Sequence, residues 1–141
     1  MNIVKKVNLL LSILVAALLS AGCSAQQSSK AESNLICAFV EGYLDDKGFA
    51  LSSAAEGGSA EDWVIFSTGN LSSAIQENTQ AEVIYNKYLQ ALTIWSRKID
   101  KSIKLKNESQ ISIAAKELEI RIDEIAPMCE NLGWKFKQGW R

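Results

Sequence analysis

Sixteen Asp and Glu, three Cys and no His set the chemistry open to this 141-residue chain. Without His there is no imidazole base, no His-containing triad and no His metal ligand. No Ser stands in a G-x-S-x-G elbow, and no S-x-x-K pattern marks a Ser-Lys pair. Gly57-Gly58 is not followed by the Lys-Ser/Thr of a phosphate cradle. Cys37 and Cys129 lie too far apart for a C-x-x-C redox centre. Glu41, Asp45 and Asp46 could gather carboxylates, but a Ca²⁺ loop needs oxygens at alternating positions and a Gly-enforced turn. Here two adjacent acids simply precede Lys47-Gly48, so they read as solvated charge at a helix end. Glu117, Glu119, Asp123 and Glu124 read as the wet face of a later helix. These residue types predict no catalytic set, no metal site and no cofactor, and hence a protein that is not an enzyme.

Binding chemistry is better represented. Residues 30–82 carry nine acids and two Lys, 83–106 carry six bases and one acid, and 107–132 carry six acids and two bases. Arg97, Lys101 and Lys104 fall on one face of a helix. They either form a basic patch for anionic headgroups or an anionic wall polymer, or pair with acids of a neighbouring helix, which is the simpler reading. The C-terminal stretch Gly133 to Arg141 holds two Trp, one Phe and three cations in nine residues. Trp134, Phe136 and Trp140 interleaved with Lys suit a membrane interface or a partner groove. The competing reading folds this tail back, burying Trp134 and Phe136. A small-ligand pocket between helices, lined by Tyr43, Trp63, Tyr88 and Trp95, is the alternative site.

The elements that would position these groups are helical. Leu35, Ile36, Phe39, Val40, Tyr43 and Leu44 recur at helical spacing, predicting a first helix from Asn34 to about Lys47 with Gly48 as its stop. Glu56-Gly57-Gly58 is a break. Ser59 with Asp62 three residues on resembles a capping box and predicts a second helix over 60–76, with Gly69 its weak point. A short strand over Trp63–Phe66 is the competing assignment. Ile84, Tyr88, Leu92, Trp95, Ile99 and Ile103 predict a long helix from Thr79 to about Lys104. Ile111, Ala115, Leu118, Ile122, Ile125, Cys129 and Leu132 form an a/d seam on a last helix from Glu108 to Leu132. The short connection between these two predicts antiparallel packing. Pro127, the only proline, should kink the last helix two residues before Cys129. The expected fold is all-α, a three- or four-helix up-and-down bundle without repeats or a second domain.

The N-terminus carries the other organised pattern. Lys5 and Lys6 precede the nearly unbroken apolar run Val7–Leu19, which closes on Ser20-Ala21-Gly22-Cys23. A basic start, an apolar middle and a small-residue exit form a secretory signal. The apolar run falls short of the roughly 20 residues that span a bilayer. Leu19-Ser20-Ala21-Gly22-Cys23 resembles the signal of bacterial lipoprotein precursors, with Leu one position earlier than is usual there. The resemblance covers residues 1–23 only. It implies a diacylglycerol on the Cys23 sulfur, cleavage before Cys23, and acyl chains contributing roughly 0.8 kcal/mol per buried CH₂. A cut after Ala25 by ordinary signal peptidase, leaving a soluble protein, is the competing outcome.

The resemblance also bears on the other cysteines. With Cys23 lipidated, Cys37 and Cys129 are left to pair in an oxidising compartment. Closing a loop of roughly 90 residues would contribute about 4 kcal/mol in the chain-entropy model. The expected organisation is a signal over 1–22, a lipidated Cys and flexible tether over 23–33, a helical domain over 34–133 and an aromatic-basic tail over 134–141. The mature part carries a charge near −3, because the signal removes Lys5 and Lys6. That balance and the exported destination argue against nucleic acid. The expected function is a membrane-anchored envelope module on the outer face of a plasma membrane, or in an outer membrane if there are two. Its partner would be an envelope protein, with a small ligand as the alternative.

Overall fold

The computed structural model describes residues 29–140. The signal pattern, Cys23 and Arg141 lie outside the described residues. Five α-helices and one 3₁₀ turn make up the ordered elements, and no strand occurs among the described residues. Helix α1 covers 29–41, α2 Tyr43–Ala55, α3 Ala60–Gly69, α4 Gln80–Lys104 and α5 Glu108–Asn131, with the 3₁₀ turn at Ser72–Ala74. No helix among them is long and apolar enough to cross a membrane.

Two boundaries differ from the sequence expectation at the N-terminal end. Residues 29–33, expected as tether, are helical, and Glu32 and Ser33 are buried. The Glu32 carboxylate accepts the backbone N–H of Gln76 at 3.3 Å, which ties this polar stretch into the fold. The first break falls at Gly42, not Gly48. Gly48 stays inside α2, where a side chain would meet open space, so nothing there opposes helix.

The starts of α3, α4 and α5 follow from side-chain caps. Ser59 accepts the N–H of Asp62 at 3.2 Å, Thr79 that of Glu82 at 3.1 Å, and Asn107 that of Gln110 at 3.3 Å. The 63–66 segment is therefore helical, not a strand. The second helix ends at Gly69 instead of residue 76, and the 3₁₀ turn continues the chain.

Helix ends follow one pattern. After α2, Gly57 at φ +92° lets its N–H reach Ala54 O while Gly58 N–H reaches Ser53 O. After α5, Gly133 at φ +88° lets its N–H reach Glu130 O while Trp134 N–H reaches Cys129 O. Both are Schellman closures that satisfy the last carbonyls. Lys106, at φ +52°, does the same after α4 without the help of glycine.

Among α2 to α5, the α4–α5 pair packs most extensively. Ile84, Tyr88, Leu92, Trp95 and Ile99 of α4 are buried, as are Leu118, Ile122, Ile125 and Cys129 of α5. Ile103, Ile111 and Leu132 are only partly covered, and Ala114 takes the buried place expected of Ala115. Buried hydroxyls return to their own helix: Thr68 donates to Val64 O and Ser102 to Lys98 O, each at 2.6 Å. Cys37 of α1 and Cys129 of α5 form a disulfide with Cα atoms 5.6 Å apart. Both cysteines are fully buried.

Candidate functional site

The C-terminal segment folds back onto the helices. Gly133 turns the chain at the end of α5, and the N–H of Lys137 donates to the Glu41 carboxylate at 2.8 Å. Phe136 and Trp140 stack with centroids 4.1 Å apart, and Trp140 meets the buried Tyr43 ring edge-on at 6.1 Å. Trp134, Phe136 and Trp140 are thus partly buried against the core. Lys135 and Lys137 stay outside.

This fold-back creates a groove of about 610 Å³ between the tail and the α1–α2 junction. Glu41 and Asp45 stand on the helical wall, and Lys135, Lys137, Trp134 and Trp140 on the tail wall. The Trp134 indole N–H is buried without an acceptor.

The α4 cations separate. Arg97 pairs with Glu61 of α3 at 2.6 Å, and its neighbour Lys98 pairs with Glu117 of α5. Lys101 and Lys104 are exposed and line two different surface depressions. Arg97 is thus ion-paired, while Lys101 and Lys104 each line a separate depression.

Asp100, one turn from these cations, reaches the start of α3. It accepts from the Ser59 hydroxyl at 2.7 Å, the Ala60 N–H at 2.7 Å and the Glu61 N–H at 3.1 Å. A carboxylate at a helix N-terminus satisfies orphan donors and meets the positive end of the dipole.

Asp46 accepts the Tyr88 hydroxyl at 2.9 Å. Burial raises the Asp46 carboxyl above its ordinary value, the Tyr88 bond opposes this, and Asp45 adds to the rise. Tyr88 is pushed well above its ordinary value by burial, with the Asp46 charge and hydrogen bond adding. The pair is a part-buried contact between α2 and α4. Among the described residues no group of three or more Cys, Asp or Glu could hold a metal ion.

The four aromatics expected around a ligand pocket part company. Tyr43, Tyr88 and Trp95 belong to the packed core. Trp63 is partly buried against the core and joins a different ring cluster, with Phe49 and Phe66, which are not among the expected site residues. Its ring lies 5.4 Å from Phe49 of α2 and 5.8 Å from Phe66 of α3. Phe49 and Ile65 are each 59% exposed, and Phe66 is 72% exposed. The signal for this patch is the run Trp63-Val64-Ile65-Phe66. Four consecutive apolar residues on a helix cover about a full turn, so they cannot all face one core. Val64 takes the buried position, and Ile65 and Phe66 point away.

Comparison with protein-family models, with curated proteins and with solved structures finds no match to the chain.

Proposed function

We propose that this protein is a non-enzymatic, lipid-anchored envelope lipoprotein that works by binding another envelope protein, as an adaptor or an inhibitor. The observation that carries this reading is the Phe49–Trp63–Phe66 cluster with Ile65, an aromatic surface left open by a core that is otherwise well filled. Exposed aromatic patches mark interaction sites, and Trp and Phe anchor such interfaces. In this reading the five helices act as a four-column up-and-down bundle, with α1 and α2 as one column broken at Gly42.

The anchor would be Cys23. Only residues 24–28 separate it from helical residue 29, a reach of about 20 Å even when fully extended. The start of α1 would therefore stay near the bilayer, and the partner would be met there.

Two measurements test this. Metabolic labelling with an alkyne fatty acid should tag the chain and fail with Cys23→Ser. The double variant Phe49→Ser/Phe66→Ser should lose the partner from gently solubilised membranes while keeping its Tm within a few degrees. Labelling that persists in Cys23→Ser, or a partner retained by the double variant, rejects the corresponding half of the proposal.

A second reading rests on the groove beside the tail. Its volume suits a small ligand, and the Trp134 N–H lacks an acceptor. A small molecule co-purifying with the wild type but not with Trp134→Phe would favour it.

A further inference from the structure

We propose that the Phe49–Trp63–Phe66 patch takes a partner whose contact surface is an apolar centre ringed by Lys or Arg. The inference rests on the interaction-module reading and adds the chemistry of the partner.

The argument comes from the carboxylates around the patch. Residues 43–70 carry five acids and one base. Asp46 is engaged by Tyr88, and Glu61 by Arg97. Asp45, Glu56 and Asp62 remain, all exposed and none ion-paired among the described residues. Helical spacing puts them beside the aromatics. Asp45 is four residues before Phe49, Glu56 seven after it, and Asp62 four before Phe66. The one base, Lys47, is drawn away: it pairs with Glu119 of α5 at 3.4 Å and lies 6.0 Å from the Tyr43 ring centre. The patch is thus apolar at its centre with three carboxylates at its edge that no ion pair engages, although Lys135 and Lys137 share a groove with Asp45 and Lys104 lines a depression with Ala54, Gly57 and Gly58.

Charge decides between occupants. An anionic lipid surface would be repelled by the three carboxylates. A second copy docking through the same patch would bring like charges together, which disfavours a two-fold pair. A basic ring on another protein is complementary, and it would speed encounter in a salt-dependent way.

The test uses the full-length protein in cells, with a benzophenone amino acid at position 66 and a control at the exposed position 112 of α5. Crosslinked peptides are identified by mass. The expected adduct is specific to position 66 and maps to a protein segment with Lys or Arg flanking apolar residues. Its yield should fall roughly fivefold or more in Asp45→Asn/Glu56→Gln/Asp62→Asn, and with added salt in isolated membranes. The Tm of that triple variant should stay within a few degrees of wild type. A position-66 protein adduct indifferent to charge removal would overturn the inference and leave the interaction module standing. Adducts only to lipid, only to a second copy, or none at position 66 would overturn both. Repeating the crosslink in Cys23→Ser separates the anchor from the patch, because a charge-sensitive adduct that persists there depends on the patch alone.

Discussion

The α4–α5 pair and the α2–α3 pair are built from similar residues and end in different states. In α4 and α5, 25 and 24 residues long, apolar side chains recur at seam spacing and are buried along it, while Val83, Ile113 and Ile120 off the seam stay exposed. In α2 and α3, 13 and 10 residues long, the buried positions apart from Tyr43 are small or medium-sized: Ala50, Ala54, Ala60, Val64 and Thr68. The large side chains Phe49, Ile65 and Phe66 are left outside. The α4–α5 pair thus packs most extensively, while α2 and α3 leave Phe49, Ile65 and Phe66 exposed.

The sharpest way to break this contrast is to remove the covalent tie on the stable side. Cys37→Ser/Cys129→Ser should lower the unfolding free energy by about 4–5 kcal/mol, since the bond closes a loop across a separation of 92. Denaturant titration of the oxidised wild type against the double variant measures it. Next comes the seam. Leu118→Ala should cost about 2–5 kcal/mol by emptying a fully packed position. The same titration reads it, and a loss under 1 kcal/mol would contradict the packing described for α5.

The joint between the two regions comes third. Asp100→Ala removes three hydrogen bonds to the start of α3 and should cost about 2 kcal/mol. Amide exchange should quicken in 60–69 before it quickens in α4, which a uniform loss of protection would refute. On the exposed side, Phe66→Ser should change stability by no more than about 0.5 kcal/mol. A larger fall would mean that the aromatic cluster belongs to the core.

The smallest effect concerns Asp46. Its carboxyl holds a proton more tightly when folded than when unfolded. The neutral form then favours the folded state in acid, and that contribution is lost as pH rises from near the ordinary value of 3.8 through the raised one. Asp46→Asn keeps an acceptor for Tyr88 and cannot ionise. The stability of wild type minus that of the variant should therefore decline from acid to neutral pH, and a rise would reverse the sign argued here.

Much of the helical framework is legible in the residues, for a physical reason. The α4 seam repeats over six turns, so no other element satisfies its spacing, and Thr79 and Asn107 mark both long-helix starts with side-chain acceptors. The pairing of Cys37 with Cys129 and the all-helical character follow expectation. Less legible is what tertiary contacts decide. Gly42 and Gly48 are equivalent breakers in sequence, yet the chain breaks at Gly42 and runs helical through Gly48. Residues 29–33 look too polar to order, yet Glu32 finds Gln76 from the far side of three elements.

The tail shows the same limit. Its aromatics are plain in sequence, but their fold-back depends on Gly133 and on a carboxylate nearly a hundred residues away, Glu41. The exposed patch escaped the pattern because helical periodicity identifies which residues can share a face and cannot say which face a short helix will bury. The run Trp63–Phe66 carried the warning in its length alone.

The disulfide also sets an order of events during synthesis. Cys37 is made first, and its partner follows 92 positions later. At about 5–20 residues per second, Cys37 waits roughly 5–20 s for Cys129 to exist. Through that interval it is an uncommitted thiol, open to any oxidant or mixed disulfide it meets. The bond cannot form before the chain has been made as far as Cys129, within the last helix.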